Sequence, residues 1–394
     1  MAAGRYEYVN LPNYLFLTFL RIWARITAIF FFRKMHVSGK SLIPREGPVI
    51  FAVNHQSAFL DPVLIGISSG RKPWYLTRAG VFNGKLVKFI LNAIHMLPVY
   101  RPRDRVNIKN ANQDTFERCN KILRGNGSVL IFPEGNHGML KRLRVPVKKG
   151  IARIALEAEA AESFNLNLKI VPVGINYEHP TKFRTNVLIN YGEPFDIKFL
   201  EDKFPDGESE ALNLLCRRLE QEMSPLMLNI HSEERYDEIE RRWMECRPRK
   251  RGLIDQFNTD KEIIENLLQG KDCPKSELSS SGFLRIIGGI PGLPLFIIGF
   301  VLNLPSILIT KAILAKTVID PHFRQSILFV CGMVIVPLFT VIEASILWQL
   351  WGYFWAWLIL IPVSGIFAYD YFDMILRRND YVPTRILAKG FLPK

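Results

Sequence analysis

The chain has 394 residues, 48% of them hydrophobic and 22% charged, a balance that excludes both a wholly disordered chain and a pure membrane bundle. That length allows one catalytic domain plus an appendage. The formal net charge of +14 calls for an anionic partner, whether phospholipid, phosphorylated metabolite or nucleic acid; no zinc-finger spacing and no ribonucleoprotein-type aromatic motif occurs, so nucleic acid is set aside.

Residues 11–32 are strongly apolar but carry Arg21 and Arg25, one helical turn apart. Two guanidinium groups at a bilayer centre are costly, whereas on one helix face they can sit among headgroups. This predicts a membrane-interface helix within residues 1–36, and no small-residue cleavage site marks it as a removed signal peptide. Beyond it, apolar runs at 49–53, 74–76, 97–100, 128–132, 170–175 and 187–191 read as strands. Helical patterns at 62–68, 109–123 and 151–161 separate them, with Gly125 expected to cap the second. Alternation of this kind predicts an α/β layered domain, which with a further helix at 212–227 occupies residues 37–232. Residues 233–282 read as a charged, Ser-rich linker with surface helices.

Residues 283–394 read as a C-terminal helical membrane region, with three apolar segments at 286–310, 326–347 and 350–369 long enough to span hydrocarbon. The first holds Pro291, Pro294, Pro305 and four glycines. The link after it carries Lys311, Lys316 and Arg324, and the tail carries Arg377, Arg378, Arg385 and Lys389. Basic loops stay cytoplasmic, and three full crossings could not keep both of these on the side of a cytoplasmic catalytic domain. A broken, re-entrant first segment followed by a helical hairpin, with its far turn near Trp348 and Trp351, satisfies the rule. The expectation is an integral membrane protein of the bacterial inner membrane or the endoplasmic reticulum.

Cys119, Cys216, Cys246, Cys273 and Cys331 are scattered, with no Cys-x-x-Cys pair, which suits a reducing compartment better than a disulfide framework. His137 and His179 lack partners at metal-ligand spacing and His-Glu-x-x-His does not occur, so no metal is expected.

The chemistry is expected in four blocks. Asn54-His55-Gln56-Ser57-Ala58-Phe59-Leu60-Asp61-Pro62 follows the first strand, with Asp61-Pro62 as a helix start in which Asp61 is the N-cap. A carboxylate on one ring nitrogen of His55 would fix its tautomer and leave the other nitrogen basic. Read alone, a His after a strand and an Asp before Pro are ordinary structural residues. Three further blocks raise the odds: Pro98-Val99-Tyr100-Arg101-Pro102-Arg103, with guanidiniums suited to a phosphate; Phe132-Pro133-Glu134-Gly135; and Val171-Pro172-Val173-Gly174, whose Pro172 argues for an edge strand or a bulge.

Four such blocks in this order resemble the glycerophosphate acyltransferase superfamily, over roughly residues 37–192. The resemblance implies a glycerol-3-phosphate-acyltransferase-like fold in which His55 and Asp61 are the catalytic pair. It also implies that Arg101, Arg103, Glu134 and Gly135 bind the acceptor, with Pro172 in the fourth block and Lys149 as a further phosphate contact. The implied partners are a glycerol phosphate acceptor, acyl-CoA or acyl carrier protein as donor and membrane phospholipid, with no cofactor beyond the donor.

Three departures from the family pattern stand out. His55 and Asp61 are separated by five residues where four are usual. Asn136-His137 replaces the usual Thr or Ser followed by Arg, and His95 and Pro98 stand where Gly and an apolar residue are usual. The five-residue spacing before Leu-Asp-Pro, with the Pro-interrupted apolar stretch, is similar to fungal-type glycerol-3-phosphate/dihydroxyacetone-phosphate acyltransferases. Glycerol 3-phosphate is therefore favoured over lysophosphatidate as acceptor. Of other classes, a non-catalytic membrane lipid-binding protein remains open, and a serine hydrolase is set aside on the expectation that no Gly-x-Ser-x-Gly nucleophile-elbow motif occurs.

Overall fold

The computed structural model describes residues 11–101, 104, 107–204, 207–274, 289–318, 320–376 and 383–388. These form two units, one from the residues up to 25 with 36–176 and 187–231, the other from 26–35, 177–186 and 232 onward.

A seven-stranded sheet organises the first unit. Its strands are β1 (Lys34–Ser38), β2 (Val49–Val53), β3 (Trp74–Arg78), β4 (Met96–Val99), β5 (Ser128–Ile131), β6 (Lys169–Tyr177) and β7 (Asn186–Tyr191). They lie in the order β1-β7-β6-β2-β5-β3-β4, with β2 parallel to β5 and β6, and β3 parallel to β4 and β5. The central β2 is apolar and buried along its whole length, as a parallel strand covered on both faces must be. Ile50 and Ala52 share a core with Leu123 of α4 (Ile108–Arg124), Ala155 of α5 (Gly150–Ala160) and Leu215 of α6 (Glu208–Met223). The alternate residue Phe51 meets Tyr191 edge-on at 6.2 Å. Tyr191 in turn shares a 2.7 Å hydrogen bond with Ser68 at the end of α2 (Leu60–Ser68).

Several local expectations need correction. Of the two readings of Pro172, the edge strand does not hold, because β6 lies between β2 and β7. The Pro172 carbonyl accepts from Gly192, one residue past the end of β7, so the donor that proline lacks is lost where that ladder stops. The next pairing, Ile170 with Phe195, slips by one residue, which is the bulge that proline signals. Gly125 is the C-cap of α4 as expected, although it is the next residue, Asn126, that takes the left-handed conformation (φ 61°), with Gly127 N donating to Ile122 O. Short β1 and the helix α3 (Lys85–Ala93) were not anticipated, whereas α7 (Tyr236–Cys246) and α8 (Leu253–Leu268) are helices within the stretch read as linker with surface helices. The pairing of α7 with α8 brings Cys246 and Cys273 to a Cα separation of 6.0 Å, and they form a disulfide where free thiols were expected.

In the second unit, α9 (Leu293–Leu302) and α10 (Leu304–Thr317) are together apolar enough to cross a membrane, but they bend by 62° at the break between them. Asn303 sits at the break, its side-chain amide donating to Gly299 O and Ile361 O, and Pro305 follows. Two long helices come next, α11 (Arg324–Trp351) and α12 (Phe354–Tyr371). Their turn falls at Gly352 and Tyr353, both in the left-handed region, one residue beyond the expected Trp348–Trp351 position. Among the described residues, three stretches are long and apolar enough to cross a membrane: Pro321–Trp351, Phe354–Ile375, and Tyr14–Phe31 in α1 (Leu11–Phe31). The tail residues Arg377, Arg378 and Lys389 lie outside the described residues.

A polar knot ties segments of this unit that are far apart in sequence. Asp370 of α12 accepts from Arg184 at 2.8 Å and from Arg33 at 3.1 Å, and Arg33 also reaches Asp373. Arg184 further donates to the carbonyls of Phe30 and Phe32. Asp370→Asn would leave two guanidiniums short of their counter-charge, at a cost of about 2 kcal/mol, between the values for exposed and buried pairs. The midpoint of unfolding of the detergent-purified protein should fall accordingly, and an unchanged midpoint would mean that the knot is energetically silent.

Candidate active site

Because β2, β5, β3 and β4 run parallel, the residues that follow β2, β5 and β4 emerge at one edge of the sheet. After β2, the Asn54 side chain continues the ladder: its amide donates to Ile175 O at 3.0 Å and its oxygen accepts from Ile175 N at 2.6 Å. The chain is thus fixed up to the residue before His55.

His55 Nδ1 lies 2.8 Å from Asp61 Oδ2. The same carboxylate oxygen accepts from the backbone N–H of Gln56 and of Ser57, each at 2.8 Å. Asp61 is fully buried and belongs to the first turn of α2, with Phe59 rather than Asp61 at the cap position. Its carboxylate reaches back to the preceding turn instead of forward to its own helix, whose first N–H groups, those of Leu60 and Asp61, bond Ser57 O. A carboxylate only accepts, so Nδ1 carries the proton and Nε2 is left as the basic nitrogen. The imidazole stacks on Phe132 with centroids 3.8 Å apart and planes 11° off parallel, and His137 meets it edge-on at 5.7 Å.

After β5, the turn at Phe132–Gly135 closes with Gly135 N donating to Phe132 O. Gly135 has φ 71°, where a side chain would be strained and would also meet Lys148. Glu134 is buried, and its Oε1 accepts from His55 N at 3.0 Å. Burial pushes this carboxyl up to about 7, against the opposing pull of the His55 N–H and Arg144. Gly138 N donates to His55 O and Lys148 N to Pro133 O, so the loop between them is pinned to the site at both ends. Arg144 closes that loop from within, donating to Asn136 O and His137 O. The N–H groups of Gln56, Ser57, Gly135 and Gly138 are therefore all engaged internally.

Sequence reasoning missed Asn54, His137, Arg144 and Lys148. Arg144 and Lys148 belong to a run of six basic and no acidic residues between Lys141 and Arg153, so charge density was the available signal. Lys149 itself is exposed at the start of α5. Pro172 lies within the sheet opposite Ala52, and a Cβ added at Gly174 would overlap the Leu226 carbonyl, so this block governs how the chain at Leu226 crosses the sheet.

Arg101 follows β4, where its N–H donates to Asp104 at 2.7 Å; Arg78 pairs with the other oxygen of Asp104 at 3.6 Å. Three strand spacings separate β4 from β2, about 14 Å. A guanidinium reaching inward and an acceptor several ångströms long could bridge that span. Arg103 lies outside the described residues. His95 has φ 64°, which accounts for the glycine usual at this position; here Trp74 stacks on the ring at 4.3 Å, and burial depresses the imidazole to about 4.

The expectation about serine elbows also needs correction, since Gly66-Ile67-Ser68-Ser69-Gly70 has the Gly-x-Ser-x-Gly form. A nucleophile elbow needs a strand-to-helix turn with an exposed hydroxyl. Ser68 instead ends a helix, is buried, and gives its hydroxyl to Leu64 O. It is not a nucleophile.

The raised Glu134 carboxyl links stability to pH. A carboxyl that holds its proton in the fold up to about 7 favours the folded state at low pH, and that advantage is lost as pH climbs from about 4.5 to 7. The loss amounts to about 3 kcal/mol. Glu134→Gln should flatten this part of the stability profile, measured as unfolding midpoint against pH; parallel profiles for variant and parent would contradict the burial of an ionisable group there.

Residues 34–176 match the family model described as Acyltransferase. Glycerol-3-phosphate O-acyltransferase 2 of Saccharomyces cerevisiae is 36% identical over 110 residues, 27% of this chain and 14% of the relative. Glycerol-3-phosphate O-acyltransferase 1 of the same yeast is 24% identical over 264 residues, covering 45% and 34%. A chloroplastic 1-acyl-sn-glycerol-3-phosphate acyltransferase of Arabidopsis thaliana is 29% identical over 144 residues, covering 36% and 37%. The chain thus spans well under half the length of each of these relatives. Among solved structures, the 1-acyl-sn-glycerophosphate acyltransferase PlsC of Thermotoga maritima aligns with a TM-score of 0.39 and 17% identity, over 53% of this chain and 78% of that one. Residues 34–176 thus carry the match to the acyltransferase family, and with the blocks within them they are similar to the glycerophosphate acyltransferase superfamily.

Proposed function

We propose that the protein transfers a fatty acyl group from acyl-CoA or acyl carrier protein to a hydroxyl of glycerol 3-phosphate or dihydroxyacetone phosphate. The observation that carries the reading is the 2.8 Å contact of His55 Nδ1 with an Asp61 oxygen that two backbone N–H groups also hold. In this mechanism His55 Nε2 takes the hydroxyl proton while the oxygen attacks the thioester carbonyl. The C–S bond then breaks, and the thiolate leaves with the proton returned by the imidazolium. No acyl-enzyme forms, because the thioester is already activated. Asp61 stabilises the imidazolium, and Glu134 holds the backbone of His55 through Oε1. Arg101 would bind the acceptor phosphate and so position its hydroxyl. Since the N–H groups of Gln56, Ser57, Gly135 and Gly138 are already engaged, the oxyanion would draw its donors from other groups, including bound substrate or a guanidinium.

Glycerol 3-phosphate is favoured by the five-residue His-to-Asp spacing and by likeness to yeast enzymes named for that acceptor. Lysophosphatidate is the second reading, supported by likeness to plant enzymes named for it. Purified protein with labelled acyl-CoA, offered the three acceptors in parallel, separates them by which product is labelled. His55→Ala should abolish transfer and Asp61→Asn should slow it by roughly 10²–10⁴-fold, both variants remaining folded. Near-normal turnover of His55→Ala would reject the mechanism.

The product of this reaction belongs in a bilayer. We place the catalytic unit on the cytoplasmic face, with α1 at the interface, α9 and α10 as a re-entrant pair, and α11 and α12 as a hairpin. Reporter tags at Lys316 and at the C-terminus should then both face the cytoplasm, and a tag at Lys316 on the far side would exclude this topology.

A further inference from the structure

In a parallel sheet each strand returns through a crossover, and the crossover helix ordinarily covers the sheet with its apolar face. The crossovers from β4 to β5 and from β5 to β6 do so: α4 and α5 supply Leu123, Ile151, Ile154 and Ala155 to the core. The β3-to-β4 crossover does not. Within α3 only Ala93 is buried, while Leu86 is 71% exposed and Phe89 64%. Val87, Ile90 and, ahead of the helix, Val81 are exposed as well.

The exposure has a pattern. Leu86, Phe89 and Ile90 fall at the spacing of one helix face, and Lys85, Lys88 and Asn92 occupy the other, all of them exposed. Charge in this region has one sign: between Asp61 and Asp104 the chain holds Arg71, Lys72, Arg78, Lys85, Lys88, Arg101 and Arg103 and no acidic residue. Contacts within the first unit tie this crossover to the exposed apolar residues of α1. Lys72 sits 3.2 Å above the ring of Tyr14, and Trp74, two residues on, stacks on His95, two residues past the end of α3. Tyr14, Leu15, Phe19 and Ile22 of α1 are themselves exposed.

We propose that α3 is a docking helix for an anionic bilayer surface, with Leu86, Phe89 and Ile90 among the acyl chains and Lys85 and Lys88 at phosphate headgroups. An apolar face flanked by lysines is what an in-plane interfacial helix presents. Anionic lipid matches the one-signed charge, and each lysine near such a surface adds to the attraction. The position has a use. The crossover starts at Arg78, whose guanidinium shares Asp104 with the backbone of Arg101, so the bilayer surface would lie against the strand ends that carry the second block. A long-chain donor or a lipid product could then move between bilayer and site without crossing water. The docking assignment stands whether or not the acyl-transfer reading does.

The test places benzoylphenylalanine singly at Leu86, Phe89, Ile90 and Asn92 of the full chain in phosphatidylcholine–phosphatidylglycerol nanodiscs, with Ile346 of α11 as a lipid-facing reference. After illumination, mass spectrometry reads the adducts, and no enzymatic activity is required. Lipid adducts should form at 86, 89 and 90 and be several-fold scarcer at 92. Removing phosphatidylglycerol, or combining Lys85→Gln with Lys88→Gln, should lower the yield at 86 and 89 several-fold while leaving 346 unchanged. Adducts to protein at 86 and 89, or no lipid adducts there while 346 gives them, would overturn the docking assignment. Yields indifferent to phosphatidylglycerol would overturn its anionic character.

Discussion

One carboxylate oxygen organises the site. Asp61 Oδ2 receives the His55 ring and the N–H groups of Gln56 and Ser57, three donors converging on a group with no exposed surface. An ionised carboxylate without partners could not stay there, and with them it cannot easily leave. The backbone donors matter as much as the ring. They curl residues 55–61 around the oxygen, so the extra residue between His55 and Asp61 is taken up as turn and does not separate the pair. The same economy removes the Gln56 and Ser57 amides from substrate binding, so that this turn serves as a frame for His55.

The sheet supplies what that oxygen cannot. Because β2 is paired in parallel on both sides, its end is fixed by β5 and β6, and Asn54 prolongs the ladder to β6 by one further residue. His55 is therefore held through its backbone by Glu134 and Gly138, through its ring by Asp61 and Phe132, and through the preceding residue by Ile175. A base must keep one nitrogen aimed at a hydroxyl, and immobilisation on three sides does that without any contact to the reactive nitrogen.

Legibility followed the kind of signal each feature leaves. The parallel strands showed themselves as uninterrupted apolar runs because both faces are covered, and the order of polar blocks after them gave the site edge. What escaped depended on partners distant in sequence. β1 is five residues with no pattern of its own, the surface helices expected in the charged stretch gave no sign that α7 and α8 would pair, and the disulfide joins cysteines 27 apart that only this helical hairpin brings together. Pro172 signalled irregularity correctly, but the irregularity belongs to the segment at 192–195 that pairs with β6. Asp61-Pro62 resembled a cap because short-range propensity cannot tell an oxygen facing forward along its helix from one facing back. The Ser68 pattern shows the converse, a motif complete in letters whose hydroxyl is buried at the wrong end of a helix.

Net charge, read from composition, overstated how much of the surface is free to bind anions. Arg71 donates to the carbonyls of Pro44, Gly47 and Asn126; Arg144 closes the loop after the Phe132–Gly135 turn; and Arg247, within the basic run at 241–251, is held between Glu178 and Asp260. These guanidiniums satisfy loop carbonyls and carboxylates, work for which a rigid five-donor fork is well suited. Lysines, strongly hydrated point charges on flexible stems, do it poorly and stay outside. Lys85 and Lys88 are of that kind, beside apolar side chains that the sheet does not cover. The excess of positive charge is thus divided by chemistry, with arginine serving the fold in these places and lysine on α3 left facing outward.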